Sequence, residues 1–410
     1  MRLIHTADWH LGQMLHGFPR EAEHAAFLEW LLDRVAEYRA DALVVAGDVF
    51  DGQNPPVSAL TQFYRFLARA RARFPGLSVV VVAGNHDSGT RLEAPSPLLA
   101  ELGVQVVGGV ARTGGALDPS RLVVPLRAAD GTVAARCVAM PYLRAADLPP
   151  VAEEGLDPLV EGVRRLYAEA EAAGRAHLRP GEALVLTGHC YMSGGALSEL
   201  SERKVLGGNL HALPVDIFPG DAAYVALGHL HRAQAVGGRE GVRYSGSPIP
   251  LALDEDGYLH QVVLAEFAEG RLVGRETLRV PRTVGIRRVR ADTPEDALEA
   301  LKTLELDPTL PRDRWPYLEV GVGLPAPRPG LREEVEAVLA GRPVRLCKLT
   351  ARLTGDGAAL ADTGAGADLS ELEPEDVFLR LYARDHEEAP DPALLAAFRE
   401  LVEAVEETAP

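Results

Sequence analysis

The sequence predicts an α/β protein of two unequal lobes followed by a helical tail, and three observations carry that expectation. Over the first 280 residues, short apolar runs alternate with helical patterns, as strands and helices stacked in layers require. After about residue 281 the pattern tightens to strand, helix, strand, helix, strand, which is small enough for a separate lobe. From Thr354 to Ala367 the chain is mostly Gly, Ala and Asp, the composition of a flexible linker. The expected division is therefore a main domain over 1–280, a small lobe over 281–353, a linker over 354–373 and helices over 374–410.

The strands expected in the main domain are Arg2 to Ala7, Ala42 to Ala46, Ser78 to Ala83, Ala183 to Thr187 and Ala223 to Leu227. Each is a short, nearly continuous apolar run, as in strands buried on both faces. Between the first two lies a helix from about Arg20 to Arg39, because Phe27, Leu28, Leu31, Leu32 and Val35 fall at helical spacing. A second spans about Ser58 to Phe74, with an apolar stripe of Leu60, Phe63, Tyr64 and Leu67. On its other side Arg65, Arg69 and Arg73 form a row that is expected to be solvated. In the small lobe, strands Gly285 to Val289, Tyr317 to Val322 and Val344 to Leu349 alternate with a helix opening at Thr293-Pro294 and one over Leu331 to Leu339. Two amphipathic segments end the chain, about Pro374 to Ala383 and Asp391 to Glu407. Val377, Phe378 and Leu381 on one, and Leu394, Leu395, Phe398, Leu401, Val402 and Val405 on the other, suit a partner's groove.

At 410 residues, 47% hydrophobic and 25% charged, the chain is too long for one core and too apolar for disorder. Cys137, Cys190 and Cys347 are too few and too scattered for a disulfide framework, and no pair has metal-ligand spacing. Arg2, His5, Asp8 and His10 interrupt the N-terminal apolar residues, so no signal peptide or membrane span is expected and the cytoplasm is the expected compartment. The net charge of −17 opposes a nucleic-acid partner if read as one number. Divided by region, −11 of it falls in residues 361–410.

The chemistry lies where the strands end. The first runs into Asp8-Trp9-His10, the second into Gly47-Asp48-Val49-Phe50-Asp51, and the third into Gly84-Asn85-His86-Asp87. Later strands end in Gly188-His189 and Gly228-His229-Leu230-His231. Ligand sites of α/β folds gather at such C-terminal strand ends. A lone Asp-x-His is more often a turn beside a satisfied histidine, and Gly-Asp alone is an ordinary turn. Five such blocks in order, each after an apolar strand, point instead to a metal centre. Asp8, His10, Asp48, Asn85, His189, His229 and His231 offer seven donors, enough for two ions if one carboxylate bridges. Mixed Asp, Asn and His donors suit manganese, iron or zinc, and paired metals serve in-line attack on phosphorus.

These blocks resemble the calcineurin-like metallophosphoesterases, and the match extends across all five. The stretches His5-Thr6-Ala7-Asp8-Trp9-His10-Leu11-Gly12, Ala46-Gly47-Asp48-Val49-Phe50-Asp51 and Tyr244-Ser245-Gly246-Ser247-Pro248-Ile249-Pro250 look like the SbcD family, the nuclease subunits of bacterial SbcCD complexes. The resemblance covers the first 260 residues by motif and the rest by layout. It implies an αββα sandwich with a small α/β capping domain and a C-terminal helical tail. It further implies that Asp8, His10, Asp48 and His231 hold one manganese ion while Asp48, Asn85, His189 and His229 hold the other. His86 falls on the proposed acid or transition-state stabiliser, a role that a histidine beside a ligand can fill, and Asp87 is expected to orient it. At Asp51 some relatives carry a histidine that touches phosphate, which leaves the role of this aspartate open.

The activity implied is manganese-dependent cleavage of DNA, exonucleolytic (3′ to 5′) on duplex ends and endonucleolytic on single strands or hairpins. The partners implied are a second copy of the chain, through the helix Ser58 to Phe74 and the one near Pro97 to Leu102, and the SbcC ATPase through the C-terminal helices. The rival readings are a small-molecule metallophosphoesterase, which often ends near its metal domain, and a non-catalytic DNA-end tether, which would have lost ligands. His16, in the loop after the first ligand pair, is expected to be an ordinary exposed histidine, and Cys190 a small buried hydrophobe.

Overall fold

The computed structural model describes residues 1–151, 153, 155–195, 212–325 and 328–353, with isolated positions between 375 and 398. The expected linker lies outside the described residues, as does most of the tail. Two aromatic side chains of the tail are placed: Phe378 stacks on Phe398 with ring centroids 4.3 Å apart. No helix of the described residues is long and apolar enough to cross a membrane.

The main domain is a sandwich of two six-stranded sheets. The first runs Arg271–Arg279, Gln261–Ala268, Arg2–Thr6, Ala42–Ala46, Ser78–Val82, Val104–Val107 in spatial order. The second runs Gln234–Val236, Arg239–Tyr244, Tyr224–Gly228, Ala183–His189, Val133–Val138, Val123–Arg127. The continuous apolar character of the first sheet's central strands has a plain cause. Val44, Val80 and Val82 enter the core between the sheets, while Leu43, Val45, Val79 and Val81 face the helices Glu21–Tyr38 and Val57–Arg73 on the opposite side. The helix Pro158–His177 covers the second sheet with Val163, Leu166, Tyr167 and Ala170. It opens on Asp157, whose carboxylate accepts from the Leu159 and Val160 amides, and carries Pro158 where no N–H is needed.

Of the five strands read from sequence, four stop within a residue or so of their expected ends. The strand Ala183–His189 continues two residues further, because His189 still pairs with Gly228 in parallel register. His189 is therefore held by a ladder rather than a loop. The arginine row is also more constrained than a solvated face: Arg69 pairs with Glu29, and Arg73 with Glu29 and Asp33, on the neighbouring helix.

The small lobe is a three-stranded parallel sheet, Ile286–Ala291, Tyr317–Leu324, Arg345–Leu353. Helices Pro294–Thr303 and Leu331–Leu339 pack Ala297, Leu301, Val335 and Leu339 against Leu318, Val320 and Val322. It meets the main domain through a mixed apolar cluster of Leu15 and Leu253 with Val284, Ile286 and Tyr317, to which Phe18 and Cys347 add.

Candidate metal centre

The first two ligand loops are zipped together before any side chain is considered. The Asp8 amide donates to the Gly47 carbonyl at 3.0 Å, that of His10 to Asp48 O at 3.0 Å and that of Leu11 to Val49 O at 2.9 Å. Asp8, His10, Asp48 and His229 all have positive φ, at 55°, 46°, 50° and 103°. Backbone in such regions costs of order 1–3 kcal/mol per residue and persists where surrounding structure over-determines it.

Asp48 sits at the middle. Its Oδ1 accepts from the His86 amide at 2.9 Å. Its Oδ2 lies 3.2 Å from His189 Nε2 and 3.5 Å from His10 Nε2. Asn85 Oδ1 is 3.0 Å from both His189 Nε2 and His229 Nδ1. Asp8 Oδ1 accepts from the His229 amide at 2.9 Å. Donor atoms of Asp8, His10 and His231 lie within 4.8 Å of one another, as do those of Asp8, Asp48 and His189, and those of His10, Asp48 and His86. All seven residues singled out as donors, and His86, thus converge on one place.

An outer ring of acceptors turns the imidazoles inward. His189 Nδ1 meets the Ala46 carbonyl at 2.9 Å, which can only accept, so this nitrogen carries the proton and Nε2 faces the site. His10 Nδ1 is held by Asp51 Oδ1 at 3.0 Å and His231 Nδ1 by Glu255 Oε1 at 2.8 Å. Carboxylates and carbonyls behind metal-ligating histidines orient them in this way. Among the inward atoms, Asp8 Oδ2 and His10 Nε2 are buried with no hydrogen-bond partner. Buried polar atoms are seldom left so. The donors present therefore fit divalent cations that prefer nitrogen and oxygen together.

The charges are consistent with that fit. Burial drives the Asp48 carboxyl up, but His189, His10 and His86 outweigh it and hold the group well below the ordinary carboxylate range. His189 is pushed down by burial and raised more strongly by Asp48 and Asp8, to about 9. Burial lifts Asp8 to about 7 against the pull of His189 and His231. Burial, followed by repulsion from His189, takes His229 down to about 3. Without cations, one imidazolium at His189 compensates the anion at Asp48.

One role read from sequence changes, and one left open gains an observation. Asp87 does not orient His86: its carboxylate accepts from the Val49, Phe50 and Gly84 amides at 3.1, 3.0 and 2.8 Å, tying two ligand loops together. His86 is oriented instead by the Asp51 carbonyl, 2.9 Å from Nδ1. Asp51 therefore serves His10 with its side chain and His86 with its backbone. Glu255, in a short helical turn over Leu253–Gly257, carries no motif, and nothing in the sequence marks it. His16, at a hairpin tip with φ of 47°, is exposed as expected, beside Lys348 and Glu319 of the small lobe, and Cys190 Sγ lies 3.6 Å from Met192 Sδ. His24 is fully buried and held neutral by burial and by Arg20. His211 and His386 lie outside the described residues.

An α/β sandwich that gathers Asp, Asn and His at its strand ends defines a metal-dependent phosphoesterase. The family model for calcineurin-like phosphoesterases matches residues 1–233, and that for the type 5 capsule protein repressor C-terminal domain matches 282–386. The chain is 42% identical over 389 residues to the SbcD subunit of nuclease SbcCD from Rhodobacter capsulatus, covering 92% of this chain and 93% of that one. Against the SbcD subunit of Escherichia coli K12 it is 35% identical over 392 residues, 93% of either chain. Against that of Bacillus subtilis it is 36% identical over 277 residues, 66% of this chain and 67% of that one. The chain belongs to the SbcD family of calcineurin-like phosphoesterases.

Proposed function

We propose that the chain is the manganese-dependent nuclease subunit of an SbcCD-type, ATP-driven DNA repair complex. It hydrolyses phosphodiesters at Asp8, His10, Asp48, Asn85, His189, His229 and His231, acting exonucleolytically on duplex ends and endonucleolytically on single strands or hairpins. The observation that carries this reading is the position of Asp48 Oδ2 between His10 and His189, which lets one carboxylate oxygen serve two donor sets. Asp8, His10 and His231 would complete one set and Asn85, His189 and His229 the other. Two divalent cations, when bound, supply Lewis-acid activation of water and charge neutralisation on the phosphate. The protein's own part is to hold the donors in strained, pre-set loops, so that little reorganisation accompanies the reaction. With Nδ1–H of His86 committed to the Asp51 carbonyl, Nε2 is the nitrogen available to a phosphoryl or leaving oxygen.

His86→Ala is therefore expected to lower DNA cleavage by about 10²- to 10⁴-fold while elemental analysis still finds two manganese ions per chain. The test of the whole reading is degradation of an end-labelled duplex with manganese, compared with a small phosphodiester reporter. Reporter cleavage with intact DNA, even after the ATPase partner is added, would favour a small-molecule phosphoesterase. Loss of manganese binding altogether would favour a tether.

The assembly proposed is a homodimer in the cytoplasm, with the SbcC ATPase taken up by the C-terminal helices. Val57 and Leu98 support the homodimer: they stand 78% and 74% exposed on the two helices named for it. The charge division supports weak DNA affinity in the isolated subunit, with the partner supplying attraction.

A further inference from the structure

We propose that Tyr317, on the central strand of the small lobe, is a positioning residue for the metal centre, acting through a buried ion pair on the segments that carry His10 and orient His231. The proposal rests on the metal-centre reading above. Tyr317 Oη donates to Glu23 Oε1 at 2.8 Å. Both oxygens of Glu23 are gripped by Arg20, from Nε at 2.8 Å and Nη2 at 2.7 Å. Arg20, Glu23 and Tyr317 are each at most 2% exposed, so no solvent can replace a lost partner.

From Arg20 the connection divides. Its Nη1 donates to Gln13 Oε1 at 2.8 Å, and the Gln13 amide donates to the His10 carbonyl at 3.0 Å. The same nitrogen donates to the Pro250 carbonyl. Gln13 Nε2 reaches the next carbonyl, that of Leu251, at 2.9 Å. The Leu251 amide donates to Glu255 Oε2 at 2.7 Å, and Glu255 Oε1 holds His231 Nδ1. One branch thus ends on the His10 carbonyl and the other at the group behind His231. These two histidines share a donor cluster with Asp8, so the position of the small lobe bears on one cation site more than on the other. The apolar cluster around Tyr317 leaves the lobe little room to shift without moving Glu23, because packed interiors do not deform continuously.

Tyr317→Phe removes the hydroxyl and keeps the ring, including its stacking under the Arg345 guanidinium, 4.0 Å from the ring centroid. The experiment uses the full chain. In hydrogen exchange on metal-free protein, the variant is expected to exchange faster than wild type in both 11–19 and 250–257, with 183–189 unchanged. In manganese titration, one of the two sites is expected to weaken about tenfold, the order seen when outer-shell partners of a ligand are lost, while the second keeps its affinity. Val335→Ala, which loosens the lobe's core away from Tyr317, is the comparison and is expected to leave both segments and both sites as in wild type. The proposal is overturned if Tyr317→Phe speeds exchange only within the lobe and leaves both manganese affinities unaltered. It is also overturned if Val335→Ala loosens the same two segments equally. Failure of every variant and of wild type to bind manganese would count against the metal-centre reading instead, and the exchange data would still test the coupling.

Discussion

Asp48→Ala is expected to remove both cations at once. Its Oδ2 lies 3.5 Å or less from one imidazole nitrogen of each donor set, so its loss takes a donor from both. Elemental analysis should find two manganese ions per wild-type chain and none in the variant. Loss of roughly 4 kcal/mol of charge stabilisation corresponds to about a thousandfold in rate, so DNA cleavage should fall at least that far. The variant also strips His189 of the anion that raises it toward 9, leaving a buried imidazole that burial drives neutral. Retention of two ions would refute the shared role of Asp48.

The second large effect is steric. A Cβ at Gly228 would stand 1.9 Å from the Ala46 carbonyl oxygen, and one at Gly84 would stand 2.1 Å from Asp48 Oδ1 and 2.3 Å from its backbone nitrogen. Neither backbone obstacle can swing aside. Gly228 is where the second sheet crosses the first, so Gly228→Ala must part the sheets at the metal centre. Gly84→Ala must displace Asp48 itself. Each is expected to cost about 3 kcal/mol or more, read as a fall in Tm by calorimetry, with loss of manganese binding. Gly76→Ala, where a Cβ meets nothing within 4 Å, should leave both unchanged.

The legible part of this protein is local in sequence. Buried strands announce themselves as apolar runs, and Asp8, Asp48 and Asn85 follow them directly, so the strand ends and their donors can be read together. His189 is readable as a donor but not as a strand residue, because its ladder partner Gly228 lies in another strand. Glu255 cannot be read at all: it reaches His231 from a turn 24 positions on, and a carboxylate in Leu-Asp-Glu-Asp-Gly has no distinguishing neighbours. Asp87 misleads for the opposite reason. Adjacency to His86 suggests pairing, whereas the folded loops present three unpaired amides that an acidic side chain satisfies better. Periodicity places the helices of the first sheet. It does not reveal the joint between the lobes, since Glu23 and Tyr317 are 294 positions apart and each alone looks like an ordinary residue of its element.

The αββα sandwich expected on family resemblance is the observed architecture. Its use is visible in the site. Each sheet contributes strand ends to one place, so neither sheet alone holds a complete donor set: Asp48 and Asn85 come from the first, His189 and His229 from the second. The centre therefore lies where the two sheets meet.

The most direct test is anomalous diffraction at the manganese edge from crystals of the full chain grown with that ion. The account predicts two peaks roughly 3.5–4 Å apart on either side of Asp48 Oδ2, one against Asp8, His10 and His231 and the other against Asn85, His189 and His229. A single peak, or a pair that does not share Asp48, would contradict it.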